Sequence, residues 1–407
     1  MKSLIVKYRE MCLIFLLAFF IRIIFLVIFP PRPMTLDDAT SWDAVAWNFL
    51  NGNGFTEIDG SPTSNRPPLY PMFLSAIYFL FGRNHFMVKI FQVLLGAVFC
   101  VTIFFLAKKI FGNKRIAFLS AVGCSLWPAL IVYTGIIGSE ILFTFLLILF
   151  LLILTKAYIT NSTKHYLLGG IFLGLANLTR STLVFYPLFL IIMIIFLEKR
   201  FKKILPMLMM FLTSMIFVFP WTIRNYNVFG RFLLVNTGAG ELFWSGTYIP
   251  WDGICKHGRD EHFYQLFNHK NPVENEQKMF KEGIQNIRKN PAGFIKLSIK
   301  KFFRFWFKPI GQELTEKKYY TLGKLLYIPQ IVLILLFLYG AIAFYTPSLL
   351  PIVTIFIYFG VMHNLITPLT RYRLPIEPLI IVFAIAGLSK LVISAQGGSA
   401  SGGKNEN

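Results

Sequence analysis

The sequence predicts an all-α membrane protein that crosses the bilayer many times. Three observations carry this. Of 407 residues, 56% are hydrophobic and 14% are charged, well below the roughly 25% charged residues of soluble domains. Phenylalanine alone occurs 44 times. Ten stretches approach the roughly 20 apolar residues that a span needs: 11–29, 86–107, 115–133, 140–158, 166–179, 181–197, 204–220, 325–345, 350–367 and 375–393. Together these exclude a soluble globular enzyme, a disordered chain and a disulfide-stapled secreted domain.

The first apolar stretch follows a basic N-terminus, as in a signal peptide. It has no small-residue cleavage site before Pro30, so it reads as a retained first helix. The spans and their loops form one membrane domain, 1–393. The Gly/Ser-rich tail 394–407 is expected to be disordered.

Basic residues set the orientation. Lys2, Lys7 and Arg9 precede the first span, Lys108, Lys109, Lys114 and Arg115 follow the second, and Lys199, Arg200, Lys202 and Lys203 follow the sixth. The opposite face carries the sparser Arg32, Arg66, Arg83, Arg180, Arg371 and Arg373. The positive-inside rule then places both termini in the cytoplasm, with the other loops at the external face of a cell membrane. The net charge of +21 belongs with anionic lipid headgroups rather than nucleic acid. Cys12, Cys100 and Cys124 lie in apolar runs and Cys255 in a polar one, so no disulfide framework is implied.

Two external regions stand out. In the loop 30–85, Leu69 to Phe81 is apolar, opened by Pro67-Pro68 and too short to span, which suits an interfacial helix. The long loop 221–322 holds most of the remaining charge. Its run Lys296 to Lys308 interleaves Lys300, Lys301, Arg304 and Lys308 with Phe302, Phe303, Phe305, Trp306 and Phe307, a basic interfacial helix with aromatic anchors.

Chemistry concentrates at this face. Asp37, Asp38 and Asp43 lie just beyond the first span, in a segment from Asp37 to Leu50 that is helical in pattern. Trp42, Val45, Ala46, Phe49 and Leu50 share its apolar stripe. Two readings stand side by side: an acidic helix start with solvated neighbours, or a general base held against an apolar wall that tunes its pKa. Arg371 and Arg373, before the last span, are either interface anchors or a bidentate grip on phosphate. Arg22, Lys89, Glu140 and Glu377 sit at membrane depth, where charge is paired or functional. Arg22 and Glu140 are expected to pair. Cys255, His257, Asp260, Glu261 and His262 match no strong metal-binding spacing and read as a solvated loop. No metal or other cofactor is indicated.

In order along the chain, several motifs resemble one family. Asp38 precedes Ala46-Trp47-Asn48-Phe49-Leu50-Asn51-Gly52-Asn53-Gly54-Phe55, and Arg66-Pro67-Pro68-Leu69-Tyr70-Pro71 follows. Then come Ser139-Glu140, Leu178-Thr179-Arg180, Pro220-Trp221-Thr222-Ile223-Arg224-Asn225-Tyr226 and Arg371-Tyr372-Arg373-Leu374-Pro375-Ile376-Glu377-Pro378. From about residue 15 to 390 the chain resembles the bacterial relatives of dolichyl-phosphate-mannose protein mannosyltransferases, a group that includes the lipid A aminoarabinose transferases. The resemblance implies a GT-C fold with about 10 transmembrane helices and an active site at the external face. It implies a polyprenyl-phosphate-linked sugar as donor, a glycan, lipid or protein as acceptor, and Asp38 as the base. Trp42 stands where many members have Tyr, and Ser41 where they have an acidic residue. No large C-terminal soluble domain like that of some relatives is expected, so recognition is expected to rest on the two external loops.

Chemistry at the anomeric carbon fits these residues. A base must take the acceptor proton, and positive charge must meet the departing phosphate. Asp38 serves the first need, and Arg371, Arg373 and Arg66 the second. The leaving group is already a phosphate, so no acid need protonate it, unlike the paired carboxylates of glycosidases. Attack from the opposite face implies inversion. Asp37, Glu140, Arg22 and Tyr70 are expected to support the site. Glu241, Trp244 and Tyr248 are candidate sugar contacts, because aromatic rings stack on a sugar's apolar face. A transporter or flippase would instead show related halves and midplane charge. A polymerase or ligase acting on pyrophosphate-linked glycans and a non-catalytic assembly subunit are further alternatives.

Overall fold

The computed structural model describes residues 2–29, 37–254, 263, 266–267, 270–310 and 326–401, with the side chains of 2–7, 37 and 397–401 left out. The stretch Cys255 to His262 and residues 311–325 lie outside the described residues. Among the described residues the regular elements are all helices, joined by loops that hold one isolated bridge between Thr56 and Pro62.

Each of the ten predicted spans is helical. The helices are α1 (Lys2–Ile28), α4 (His85–Phe111), α5 (Lys114–Leu126) with α6 (Pro128–Val132), α7 (Glu140–Thr160), α8 (Thr163–Thr179), α9 (Tyr186–Met193), α10 (Ile204–Phe229), α14 (Tyr327–Ala343), α15 (Leu350–Leu365) and α16 (Glu377–Ser401). Fewer than ten meet the length of a full crossing. Among the described residues seven are long and apolar enough, and an eighth counts if α5 and the segment from Pro128 are one span bent by 59°. Pro128 causes the bend, since a proline disfavours helix in the residue before it. α8 and α14 have 17 residues each.

Small residues bring these helices together. A Cβ at Gly170 of α8 would lie 2.5 Å from the Met210 carbonyl of α10, and one at Gly340 of α14 would lie 2.0 Å from the Phe383 carbonyl of α16. In lipid such close backbone approach replaces the hydrophobic drive that packs helices in water. The largest apolar core runs through the bundle from Ile14 and Ala18 through Leu147 and Leu151 to Phe383.

The polar regions differ from expectation at their edges. α2 (Asp37–Leu50) and α3 (Leu69–Phe81) match the sequence reading. The long polar region begins after Phe229, not at Trp221, because α10 continues through Pro220. Its last turns are held by the returning chain: Trp221 Nε1 donates to the Val235 carbonyl at 2.7 Å, and Asn225 Nδ2 to the same carbonyl at 2.8 Å. The region then forms α11 (Ala239–Thr247), α12 (Pro272–Lys289) and α13 (Pro291–Phe307). α16 runs to Ser401, into the tail expected to be disordered, since the apolar helix carries its hydrogen bonding onward.

Candidate functional site

Asp38 lies in the first turn of α2, and its two carboxylate oxygens meet arginines from distant parts of the chain. Arg66 Nη2 donates to Oδ1 at 3.0 Å and Arg371 Nη1 to Oδ2 at 2.9 Å. Arg66 comes from the loop before α3. Arg371 comes from a 3₁₀ segment, Thr370–Ile376, between α15 and α16. The Asp38 side chain keeps 42% of its surface open, so solvent reaches one side of a crowded carboxylate. Crowding pushes its pKa up, but the Arg371 and Arg66 guanidiniums outweigh that and draw it down to about 2.

The wall behind this pair is aromatic. Arg66 lies over the Trp42 ring, 4.7 Å from its centroid, a cation–π contact. Tyr70 packs edge-on to Trp42 at 5.3 Å, is fully buried, and donates its hydroxyl to Gln92 Oε1 at 2.8 Å. Arg66 Nε donates to Ser41 Oγ at 2.8 Å. Only the position of Asp37 on the helix is described, one residue before Asp38.

Arg371 connects this group to a second ion pair. Arg371 and Arg180 both lie near the Tyr372 ring, 5.6 Å and 5.7 Å from its centroid, and His363 stacks on that ring at 5.2 Å. Arg180 Nη1 in turn holds Glu140 Oε1 at 2.8 Å. Arg66, Arg371 and Arg180 thus share one boundary of the bundle with the carboxylates of Asp38 and Glu140. The buried Nε of Arg371 has no hydrogen-bond partner among the described residues. That is a free donor at the centre of a cationic cluster, suited to an anion's oxygen.

Several sequence expectations are corrected here. Arg22 does not pair with Glu140. It is fully buried, and its guanidinium donates to the carbonyls of Ala18 at 3.1 Å and Ser125 at 3.3 Å, while Glu140 goes to Arg180. Arg373 is not a free phosphate ligand. It is fully buried, with Nε on Glu377 Oε1 at 2.8 Å, Nη1 on the carbonyls of Phe305 and Trp306, and Nη2 on the Lys308 carbonyl at 3.1 Å. It clamps α13 to α16. Arg371 and Arg373 therefore do not act as neighbours, since the 3₁₀ turn aims one at Asp38 and the other into the core.

Trp244 is likewise not a surface platform. It is buried at the centre of an aromatic cluster, stacked on Tyr248 at 4.6 Å and edge-on to Trp251 at 5.0 Å and Phe267 at 5.3 Å. Tyr248 is half-buried against it, and Glu241 lies in the first turn of α11. The run after Lys296 forms α13 with Phe302 and Phe303 exposed, but Lys301 is fully buried and donates to the Gly246 carbonyl at 2.7 Å.

The long region touches the first loop beside Arg66. Thr237 N donates to the Ser64 carbonyl at 2.8 Å, and the Ser64 and Thr237 hydroxyls are 2.9 Å apart. Arg224, at the end of α10, donates to the carbonyls of Thr63 at 2.9 Å and Phe55 at 3.0 Å. On its other side Thr367, just before the Arg371 turn, donates its amide to the Leu242 carbonyl at 3.0 Å. Between the first loop and Lys270–Pro272 opens a cavity of about 580 Å³ lined by Glu57, Thr63, Asn65, Phe229 and Asn271, within the usual range for ligand sites.

Asp43 shows what a structural carboxylate looks like on the same helix. It accepts from Tyr78 Oη at 2.6 Å, Arg83 Nη2 at 2.5 Å and His85 Nε2 at 2.8 Å. Burial pushes its pKa up, but the bonds from Arg83, Tyr78 and His85 hold it below the usual carboxylate range. Among the described residues no three His, Cys, Asp or Glu side chains form a metal-binding group.

Sequence reasoning missed Arg180 and Glu57 as members of this neighbourhood. Arg180 stands alone at the end of an apolar helix, which is a usable signal. Glu57 lies in a polar hairpin and carries none.

The helical membrane bundle has the GT-C fold, as in the solved oligosaccharyltransferase it overlays. The comparisons specify the likeness. Residues 65–223 match the family described as dolichyl-phosphate-mannose-protein mannosyltransferase. The archaeal oligosaccharyltransferase AglB from Archaeoglobus fulgidus, solved with an inhibitory peptide and a dolichol-phosphate, overlays 99% of this chain with TM-score 0.57 at 14% identity. The chain spans about half of that protein, 53%. ArnT from Cupriavidus metallidurans, bound to undecaprenyl phosphate, covers 94% of this chain and 77% of its own at 12% identity, with TM-score 0.42, too low to bear on the fold. No curated protein sequence matches the chain significantly.

Proposed function

We propose that the chain is a membrane glycosyltransferase that moves a sugar from a polyprenyl-phosphate donor to an acceptor hydroxyl at the external face, with both termini cytoplasmic. The observation that carries this reading is the sharing of the Asp38 carboxylate between Arg66 and Arg371. The same three groups supply a base and two phosphate ligands at one boundary of the bundle.

The geometry sets an order of events. With its pKa at about 2, the arginine-bound carboxylate is a weak base. A donor phosphate is a stronger attraction for guanidinium than a carboxylate that is 42% open to solvent. As the phosphate takes Arg371 and Arg66, with Arg180 behind them, Asp38 loses its counter-charges and becomes more basic. It then accepts the proton of the acceptor hydroxyl while that oxygen attacks the anomeric carbon. The bond from this carbon to the phosphate oxygen breaks, its electron pair stays on the phosphate, and the arginines stabilise the charge. Attack opposite the leaving group inverts the anomeric centre.

The cavity beside Glu57 and Asn271 is the natural place for the acceptor. The test is Asp38→Asn in purified protein supplied with a polyprenyl-phosphate sugar. Loss of sugar release with retained polyprenyl-phosphate binding supports the reading, and wild-type turnover overturns it.

A further inference from the structure

Glu57 sits in the hairpin between α2 and α3, where its amide donates to the Ser61 carbonyl at 2.8 Å. Its carboxylate is half-buried and turned toward α2. Ser41 Oγ donates to Oε2 at 2.7 Å and Thr63 Oγ1 to Oε1 at 2.6 Å. Ser41 Oγ also receives Arg66 Nε at 2.8 Å, and Arg66 Nη2 reaches Asp38.

The direction of this chain of bonds is fixed by chemistry. An ionised carboxylate only accepts and a guanidinium only donates. The single hydroxyl proton of Ser41 must therefore point at Glu57, which leaves its lone pairs facing Arg66. A proton drawn toward Glu57 also makes the Ser41 oxygen a better acceptor, since linked hydrogen bonds polarise one another. Arg66 is thus held at two points, Ser41 and Asp38, and its guanidinium lies over the Trp42 ring.

We propose that Glu57 is a positioning residue. Through the Ser41 hydroxyl it locks the Arg66 guanidinium in the orientation that meets Asp38 and that presents Arg66 to the donor phosphate. This rests on the reading of Asp38 and Arg66 given under Proposed function. Glu57 also lines the cavity between the two polar regions, so the residue that sets Arg66 borders the space assigned to the acceptor.

The test measures binding of undecaprenyl phosphate to the full chain in lipid nanodiscs, alongside thermal melting. Glu57→Gln can rotate the Ser41 proton either way, and Ser41→Ala removes the link. Each is expected to weaken binding by roughly 2- to 12-fold, the range for one ordinary hydrogen bond, because Arg66 itself remains. The double variant is expected to match the single ones, because both cut the same chain. Glu57→Asp, which keeps the charge with a shorter reach, falls between. Thr63→Val removes the hairpin side of Glu57 and the bond from the Arg66 amide to Thr63 Oγ1 but leaves the Ser41 link intact, so it is expected to weaken binding less than Ser41→Ala.

Wild-type binding in both Ser41→Ala and Glu57→Gln overturns the proposal. So does equal loss of melting temperature in Glu57→Gln and Thr63→Val with no change in binding, which marks Glu57 as a hairpin pin. If Glu57→Gln does not fold, Ser41→Ala alone decides. If Asp38→Asn keeps full turnover, the catalytic reading itself fails and this inference goes with it. If Asp38→Asn is inactive while both variants bind normally, only the inference fails.

Discussion

In the first polar loop, Trp42 forms a wall over which the Arg66 guanidinium sits at 4.7 Å, and the facing Asp38 stays 42% open. In the long polar region, Trp244 is 1% exposed and closed in by Tyr248, Trp251, Phe263 and Phe267. Both regions are rich in aromatic and charged residues, and both pack on the bundle. The first leaves its charges reachable and shared between groups that a ligand can separate. The second folds its aromatics into a small core of its own and presents that core's rim. An aromatic residue in a polar loop is therefore as suited to making the loop fold as to meeting a ligand.

Substitutions can break this contrast at its strongest point first. Asp38→Asn should lower the rate of sugar transfer by about 10²–10⁴, the usual loss for a general base, in a protein that still folds but melts lower for want of the two ion pairs. Steady-state turnover of a polyprenyl-phosphate sugar measures this. Asp43→Asn, five residues on, should act on stability instead, because Tyr78, Arg83 and His85 all converge on that carboxylate.

Trp244→Ala should cost about 3–5 kcal/mol of stability, as large-to-small changes in cores do. Undecaprenyl-phosphate binding should persist at temperatures where the variant remains folded. A normal melting temperature combined with lost affinity for sugar would return Trp244 to the role of a stacking platform.

Arg371→Ala should weaken undecaprenyl-phosphate binding by roughly 10- to 100-fold, the range for charge-assisted hydrogen bonds, and Arg371→Lys should restore part of it. Arg373→Ala should instead lower melting, since it strands Glu377 without its buried partner. Equal binding losses in these two variants, with equal melting, would dissolve the distinction between them.

The smallest effect is in pH dependence. Asp38 has its pKa depressed to about 2 in the free protein. Its ion pairs therefore contribute stability fully above the ordinary carboxylate pKa of about 3.9, and that contribution is lost as pH falls through about 2. If donor phosphate draws the arginines away, the acid limb of the kcat profile should lie nearer the ordinary carboxylate value than the limb of kcat/KM, which reports the free enzyme. Coincident limbs would mean that the arginines stay on Asp38 throughout turnover.

Hydropathy located every helix of the bundle, because a run of apolar residues has no other stable state in lipid. α2 and α3 were equally legible: Asp37–Leu50 from its apolar stripe and Leu69–Phe81 from Pro67-Pro68 and its short apolar run. Asp38 and Arg66 were legible as candidates because charge at a membrane boundary is uncommon enough to stand out. The end of α10 was not, since Pro220 signals a break that the hydrogen bonds of Trp221 and Asn225 to the returning chain override.

The sequence by itself determined the class of protein, the membrane bundle and the boundary at which its charges gather. These follow from local composition and period, which act wherever the chain goes. Only the tertiary structure decided which charge meets which. Arg371 and Arg373 are two residues apart and identical in chemistry, yet one reaches Asp38, 333 positions away, and the other is sealed between α13 and α16. Arg22 was matched with Glu140 by depth alone, and the fold gave Glu140 to Arg180 instead. Ion-pair partners depend on helix rotation and loop path at the scale of a single hydrogen bond, about 3 Å. Residue spacing along the chain does not encode that scale.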